Sequence, residues 1–314
     1  MWTKSKLLLV AAAAVLPALT ACKMQIQPKE SPTSGSLGVY VSDSHLALAK
    51  KEADLFASLY PDARITLFGA STRECLVHLI NDSVRMVLTD RPLNKEELQI
   101  IDKADPKLKL DSLKVAMDAL ALLVNRVNDL EDLTLADFAA IIDQRITNWQ
   151  QLPASGLTGP LHLVSTGKNS GAYELLKYHF LNRSEDFVPS VITATQSEVV
   201  EYVASHAQAL GIASLAAFKE DTLKSLTEED EGMVRPLAFV MTDSSGAPVR
   251  QKLHQANVHL KKYPLHYPLY VYFNRKSLLA AGFCSFIASA PGQKIILNAG
   301  LVPTTMPIRL VQLR

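Results

Sequence analysis

The chain of 314 residues has a formal net charge of +1 at pH 7, with 48% hydrophobic and 20% charged residues. The near-neutral charge and the lack of a basic block argue against nucleic acid as a partner. The composition is that of an ordinary globular protein, and the length is sufficient for one large domain or two lobes.

The first residues have the pattern of an export signal. Lys4 and Lys6 precede an apolar run over 7–16, which is too short to cross a bilayer because a spanning helix needs about 20 apolar residues. A Leu-Thr-Ala-Cys sequence at 19–22 resembles the lipobox of bacterial lipoproteins. The resemblance implies that residues 1–21 are removed and that lipid on Cys22 anchors the exported chain to a bacterial membrane, with its body in the periplasm or otherwise outside the cytoplasmic membrane. The alternative is an ordinary signal peptide with an incidental cysteine.

Residues 22–36 are predicted to form a flexible tether between the anchor and the folded body. The segment is polar and contains two prolines and a glycine, which is a composition typical of linkers. Such a tether would keep the body close to the membrane while allowing it to reorient.

The cysteine and histidine content argues against disulfide frameworks and metal sites. Apart from Cys22, the chain has only Cys75 and Cys284, so that at most one disulfide can form. We expect two buried free thiols, with a single disulfide as the alternative. The eight histidines are dispersed and form no His-x-x-x-His pair, and neither a metal nor a cofactor is expected.

Strands and helices are predicted to alternate along the body. Short apolar runs indicate strands over 37–41, 64–68, 85–88, 161–165 and 211–214. Apolar residues at helical spacing indicate helices over 45–60, 72–80, 134–142, 171–180 and 197–205. This order favours an α/β fold with a mostly parallel sheet flanked by helices.

Further signals mark helix ends and two long extended segments. Asn94 and Glu97 form a capping-box pattern at the start of a helix, and the last helix is predicted from Pro291 to Gly300. The extended segments cover 111–124 and 263–274, and the first could pass from one lobe to another.

Three turns share one design, in which a strand ends in a short polar turn and a helix begins. They lie at 42–44, 69–72 and 169–171. Helix N-termini carry unpaired N–H groups and bind anions readily, and ligands of open α/β sheets lie beyond the carboxyl ends of the strands. The alternative is that these polar residues only cap their helices.

The motifs, taken in order, resemble the phosphate-binding proteins of bacterial ABC transporters, within the type 2 periplasmic binding protein superfamily. The matching segments are Ser-Asp-Ser at 42–44, FGAST at 68–72, LTDRPL at 88–93, ITNWQQL at 146–152, Asn-Ser-Gly at 169–171, GIASLAAF at 211–218, YPLYVYFN at 267–274 and PGQKIILNAGLVP at 291–303. The resemblance implies two α/β lobes joined by two hinge crossings, with the ligand in the cleft between them. The first lobe would comprise 37–116 and 265–314, and the second 117–264.

The resemblance also implies roles for individual residues. Ser44, Ser71 and Ser170 would donate to anion oxygens, together with the backbone N–H groups of Thr72 and Gly171. Asp90 would accept the proton of hydrogen phosphate, which a carboxylate can do for a protonated anion but not for sulfate. The complete expected ligand set is Ser42, Ser44, Ser71, Thr72, Asp90, Thr166, Ser170 and Gly171.

Two positions depart from the family pattern. Thr166 stands where the family usually has an arginine, and Ala172 stands where it has a threonine. One charge-assisted contact and one hydroxyl are therefore missing. Arg73, Arg91 or Lys168 could supply the charge instead, but a solvated surface position is the favoured interpretation for each of them.

The expected function is that of a monomeric, membrane-tethered solute-binding protein that captures phosphate or a similar small oxyanion for an ABC permease. It is not expected to be an enzyme. The alternative, suggested by Thr166 and Ala172, is a sensor or interaction lipoprotein that retains the fold without binding phosphate tightly. A phosphatase acting in the same cleft would need a nucleophile or metal set that the sequence does not reveal.

Overall fold

The structure is a computed structural model that describes residues 29–104, 109–152, 154–182, 185–220, 223–228 and 232–305. Its strands are β1 Gly35–Ser42, β2 Ala63–Ala70, β3 Met86–Thr89, β4 Leu110–Asn125, β5 Asp132–Thr134, β6 His162–Thr166, β7 Val191–Thr193, β8 Ala209–Ser214, β9 Val234–Pro236, β10 Ala238–Thr242, β11 Pro248–Gln251, β12 His266–Asn274 and β13 Val302–Pro303. Its α-helices are α1 Leu46–Leu59, α2 Thr72–Ile80, α3 Lys95–Ala104, α4 Leu135–Ile142, α5 Gly171–Glu174, α6 Gln196–Ser205, α7 Leu215–Phe218, α8 Lys224–Thr227, α9 Gln255–His259, α10 Leu278–Ile287 and α11 Ala290–Asn298.

The main sheet has the strand order β2-β1-β3-β12-β4-β8-β6-β7, with β9 and β13 also paired to β4. The outer strands of each half are parallel: β1 with β2 and β3 in the first lobe, and β6 with β7 and β8 in the second. The two long central strands, β4 and β12, run antiparallel to each other and to their neighbours β8 and β3. The predicted two-lobed α/β fold is therefore confirmed.

Strand β4 connects the two lobes. Its N-terminal half pairs with β12 and β13, whereas its C-terminal half pairs with β8 and β9. Residues 119–124 are fully buried, because helices or strands cover both faces of the sheet at this point. The extended segment predicted at 111–124 is this strand, and the one predicted at 263–274 contains β12.

Short polar side chains start several helices, as their sequence positions suggested. Ser71 accepts a hydrogen bond from the Glu74 N–H at the start of α2, and Thr134 forms a capping box with Asp137 at α4. The Asn94–Glu97 pair forms the reciprocal hydrogen bonds expected before α3, each 2.8 Å long.

The tether prediction extends too far into the body. Gly35 and Ser36 already belong to β1, and the Glu30 carboxylate accepts hydrogen bonds from Ser277 Oγ at 2.7 Å and from the Leu279 N–H at 3.1 Å. A carboxylate at a helix N-terminus satisfies donors that would otherwise be unpaired, so residues 30–36 form part of the fold. Residues 1–28, with the predicted signal, Cys22 and the first part of the tether, lie outside the described residues.

Other differences concern short elements. The helix predicted over 171–180 consists of one α-helical turn, α5, followed by a π-helical segment at Leu175–Phe180. A three-stranded sheet in the order β11-β10-β5 was not predicted. Cys75 and Cys284 are buried free thiols, as expected. No helix among the described residues is both long and apolar enough to span a membrane.

Candidate functional site

Four polar side chains of the first lobe meet beyond the carboxyl ends of β1, β2 and β3. Thr72 Oγ1, at the start of α2, donates a 2.6 Å hydrogen bond to Asp90 Oδ1. Ser42 Oγ lies 2.9 Å from Thr72 Oγ1 and 3.5 Å from Asp90 Oδ1, and Ser44 Oγ lies 3.4 Å from Asp90 Oδ2. We call Ser42, Ser44, Thr72 and Asp90 the Asp90 cluster. All four side chains are buried, and Asp90 is only 1% exposed.

The second lobe contacts this cluster through the start of α5. A Cβ atom on Gly171 would lie 1.9 Å from Asp90 Oδ1, so only glycine allows the helix to approach the carboxylate this closely. A backbone hydrogen bond from the Arg73 N–H to the Asn169 carbonyl, 3.2 Å long, joins the same two loops. The three predicted turns therefore converge at one place between the lobes.

The remaining predicted ligand residues lie next to the cluster but are not hydrogen bonded to Asp90. Ser71 is engaged as the cap of α2, and Ser170 accepts a hydrogen bond from the Tyr173 N–H and another, 2.6 Å long, from Thr166 Oγ1. Ser71, Thr166 and Ser170 line a cavity of about 410 Å³ between the lobes, together with Asp43 and Lys168. The set thus divides between the Asp90 cluster and this neighbouring cavity.

None of the three candidate cations binds the Asp90 cluster. Arg91 forms a bidentate pair with Glu97, with distances of 2.8 and 2.9 Å, and its Nε donates to Glu174 of α5. Arg73 is 58% exposed and lies 3.5 Å from Glu174. Lys168 pairs with Asp186 at 2.5 Å. The idea that one of them replaces the family arginine is therefore not supported by these contacts, because each faces an acidic side chain elsewhere.

The ion pair between Arg91 and Glu174 lies outside the Asp90 cluster and joins the two lobes. Arg91 follows β3 in the first lobe, and Glu174 lies on α5 in the second. Glu174 is only 5% exposed, and burial raises its pKa despite the opposing effects of Arg91 and Arg73. A charge-assisted hydrogen bond of this kind stabilises the contact between the lobes.

The electrostatics of the cluster are dominated by acidic groups. Burial, followed by the nearby charge of Asp90, raises the pKa of Asp43 to about 6. Asp43 Oδ1 is buried without a hydrogen-bond partner among the described residues. Below about pH 6, protonation of Asp43 therefore removes a second negative charge beside Asp90.

The sequence left open whether His45 lines the cleft or lies on a helix surface, and the structure places it at the base of the cluster. His45, fully buried, has its Nε2 2.8 Å from Asp118 Oδ2 and its Nδ1 2.9 Å from Ser44 Oγ. Tyr267 of β12 donates a 3.0 Å hydrogen bond to the same Asp118 oxygen. The only sequence signal was the position of His45 directly after the first turn, while Asp118 and Tyr267 lie on the two central strands, far away in sequence.

The Ser44, His45 and Asp118 side chains are the residue types of a serine-hydrolase triad, but their geometry differs. In that triad Nε2 of the histidine faces the serine and Nδ1 faces the aspartate, whereas here the two nitrogens are exchanged. Ser44 Oγ also faces the carboxylate of Asp90 at 3.4 Å, where an oxyanion would be repelled rather than stabilised. The arrangement does not favour acyl transfer. Among the described residues, no group of three or more acidic, histidine or cysteine side chains could hold a metal ion.

A two-lobed α/β fold with two long central strands and polar groups gathered in the cleft defines a solute-binding protein. The chain belongs to the PBP superfamily, since a family model described as a PBP superfamily domain matches residues 27–291. This match confirms the superfamily suggested by the sequence motifs.

Individual relatives agree with this assignment. The phosphate-binding protein PstS of Pseudomonas aeruginosa is 27% identical over 314 residues, which cover 94% of this chain and 90% of that protein. Protein SphX of Synechococcus elongatus is 24% identical over 251 residues, which cover 78% of this chain and 70% of that protein. A solved structure of a phosphate ABC transporter substrate-binding protein with bound phosphate, from Clostridium perfringens, matches with a TM-score of 0.71 and 21% identity, covering 86% of this chain and all of that one. PstS is named as a phosphate-binding protein, and the Clostridium perfringens protein as a substrate-binding protein.

Proposed function

We propose that this protein is a lipid-anchored receptor that captures hydrogen phosphate, or a similar protonated oxyanion, in the cleft between its lobes and presents it to an ABC permease. The Asp90 cluster is the observation that carries the proposal. It combines three hydroxyl donors with one buried acceptor, and the N-termini of α2 and α5 approach it from both lobes.

The cluster suits an anion that carries a proton. The hydroxyls of Ser42, Ser44 and Thr72, which now face Asp90, would turn to the oxygens of the bound anion. Asp90 would then accept the proton of the P–OH group. Sulfate offers no such proton, so its oxygens would face the carboxylate with like charge and without a hydrogen bond.

The lipobox-like sequence at 19–22 supports attachment to a membrane, and the relatives support a transporter as the partner. The relatives named as phosphate-binding proteins and ABC transport receptors support a permease partner. We propose that residues 37–116 and 265–314 form one lobe and that residues 117–264 form the other. The monomeric protein would close by hinge motion at β4 and β12. Lipid on Cys22 would hold it at the membrane. A chain that carries no acyl label after growth with labelled fatty acid would contradict the lipid anchor.

Calorimetry of the purified full-length chain in detergent tests the ligand. We expect binding heat with phosphate and none with sulfate or molybdate, because neither of these carries a proton at neutral pH. Heat with none of the three anions would refute the proposal. Equal affinity for phosphate and sulfate would refute the role of Asp90.

One observation favours a second candidate, a sensor or interaction protein without tight phosphate binding. The cluster hydroxyls already face a carboxylate of the chain itself, and no cation of the described residues is paired with Asp90. An incoming anion must therefore compete with Asp90 for its donors. Co-purification of a stable protein partner with a form that shows no phosphate heat would support this candidate, whereas nanomolar phosphate affinity would refute it.

A further inference from the structure

His45 connects the central strands to the Asp90 cluster through one continuous chain of hydrogen bonds. Asp118 Oδ2 contacts His45 Nε2 at 2.8 Å, His45 Nδ1 contacts Ser44 Oγ at 2.9 Å, and Ser44 Oγ reaches Asp90 Oδ2 at 3.4 Å. His45 and Asp118 are both fully buried. A buried chain of this kind leaves few alternative partners for any of its members.

The proton on His45 Nε2 is determined by Asp118. That carboxylate accepts from the Ala119 N–H at 2.6 Å, from Tyr267 at 3.0 Å and from His45. Because an ionised carboxylate can only accept, Nε2 must carry a hydrogen whether the ring is neutral or charged. The second nitrogen, Nδ1, is therefore the one that changes with protonation.

The state of Nδ1 decides what the Ser44 hydroxyl can do. In a neutral ring Nδ1 is an acceptor, and Ser44 must donate its only proton to it. In the charged ring Nδ1 is a donor to Ser44 Oγ, so the hydroxyl proton is released and can point into the cleft. A single protonation therefore converts Ser44 from a group that offers lone pairs to the cleft into a donor.

We infer that protonation of His45 turns the Ser44 hydroxyl towards the bound anion, so that His45 is the buried positive charge of this site and anion capture takes up a proton. The inference rests on the proposed function of the cleft. It gives His45 a positioning role, since His45 acts on the anion through Ser44. It also supplies a positive charge in a site where Thr166 replaces the family arginine.

The surroundings of His45 favour the charged ring. Burial by itself lowers the pKa of His45, but the hydrogen bond and charge of Asp118, followed by the charges of Asp90 and Asp43, outweigh burial and raise its pKa above the usual value. Tyr267 reaches the same oxygen of Asp118. The helices α6 and α7 also pack against the turn that holds His45, and their buried side chains are not titratable: Gln196, Val199, Val200, Val203, Leu215, Ala217 and Phe218.

Linkage gives the size of the expected effect. If the anion binds only the charged form, affinity is constant below the pKa of His45 and falls above it by at most about tenfold per pH unit, with at most about one proton taken up per anion. Phosphate also changes its own protonation in this range. That contribution is the same for any variant of the chain, and it cancels when two variants are compared.

The test compares the full-length protein with His45→Gln, which cannot become charged, and with His259→Gln, which changes an exposed histidine on α9 as a matched control. Phosphate binding is measured by calorimetry from pH 6 to 9 in pairs of buffers with different ionisation enthalpies, which yields the protons taken up. We expect the wild type and His259→Gln to take up more protons than His45→Gln, and to lose up to about tenfold more affinity per pH unit above the pKa of His45.

Identical proton uptake and identical pH profiles in the wild type and His45→Gln would overturn the inference while leaving phosphate binding intact. If circular dichroism shows that His45→Gln does not fold, Asp118→Asn replaces it in the comparison. That change keeps the histidine but removes its anionic partner, so the loss of affinity should begin at lower pH, and an unchanged profile would overturn the inference. Absence of phosphate binding by the wild type at every pH would refute the proposed function, and with it the role of His45.

Discussion

Replacing Gly171 with alanine should oppose the contact between the lobes. The added Cβ would lie 1.9 Å from Asp90 Oδ1 and 2.0 Å from its Cγ, whereas ordinary contacts begin at 3.4 Å. To restore an ordinary contact, α5 and the loop after β3 would have to move about 1.5 Å further apart. Overpacking of this kind typically costs about 1–3 kcal/mol, which corresponds to a loss of roughly 5–150-fold in affinity if closure and binding are coupled.

Gly167→Ala is the matched control for this prediction, because it lies in the same loop and its Cβ would meet only Ile192 Cγ2, at 3.8 Å. Calorimetry with phosphate should show the loss in Gly171→Ala and an affinity within about twofold of wild type in Gly167→Ala. Small-angle scattering should report a larger radius of gyration for Gly171→Ala in phosphate. Wild-type affinity and dimensions in Gly171→Ala would refute the close approach of α5 to Asp90.

Two further predictions concern buried carboxylates. Glu52 on α1 is 1% exposed, and its carboxylate has no hydrogen-bond partner within the part of the chain that the structure describes. Burial raises its pKa from 4.5 to about 9, so the folded protein loses stability as pH rises from 4.5 towards 9. At pH 7 this lowers the free energy of unfolding by about 3 kcal/mol. In urea denaturation, Glu52→Gln should therefore recover up to that amount of stability at pH 7 and little at pH 4. An equal gain in stability at both pH values would contradict the reasoning. Glu174→Gln weakens the contact with Arg91 across the lobes and should lower phosphate affinity about tenfold, whereas unchanged affinity would show that the pair does not assist closure.

Much of the fold was predictable because local signals agreed with the final structure. Most apolar segments became largely buried strands, whereas the one at 64–68 became the half-exposed edge strand β2. Asn94, Thr134 and Gly300 lie where helix ends were expected. The three-stranded sheet was missed because its strands have only three to five residues, which is too short for a clear periodic pattern. The end of the tether was misplaced because the contact of Glu30 with α10 joins residues almost 250 positions apart.

The candidate site was predictable in its location but not in its contacts. Turns after the parallel strands β1, β2 and β3 meet at one edge of the sheet, which brought Ser44, Thr72 and Asp90 together. The start of α5 follows β6, which runs in the opposite direction, and it reaches Asp90 from the other lobe. Which side chain of a turn faces the cleft depends on one residue: Ser71 caps its helix, whereas Thr72 donates to Asp90. The hydrogen bonds of His45 depend on tertiary packing, because its partner Asp118 belongs to a central strand that sequence reasoning treated only as a connection.

The most direct test of the account is the ratio of phosphate to sulfate affinity in the wild type and in Asp90→Asn. The carboxylate should reject sulfate and accept the proton of hydrogen phosphate, whereas the amide can donate to either anion. We therefore expect the preference for phosphate to fall at least about tenfold in Asp90→Asn, which corresponds to about 1.4 kcal/mol. An unchanged ratio would contradict the claim that Asp90 selects the ligand of this cleft.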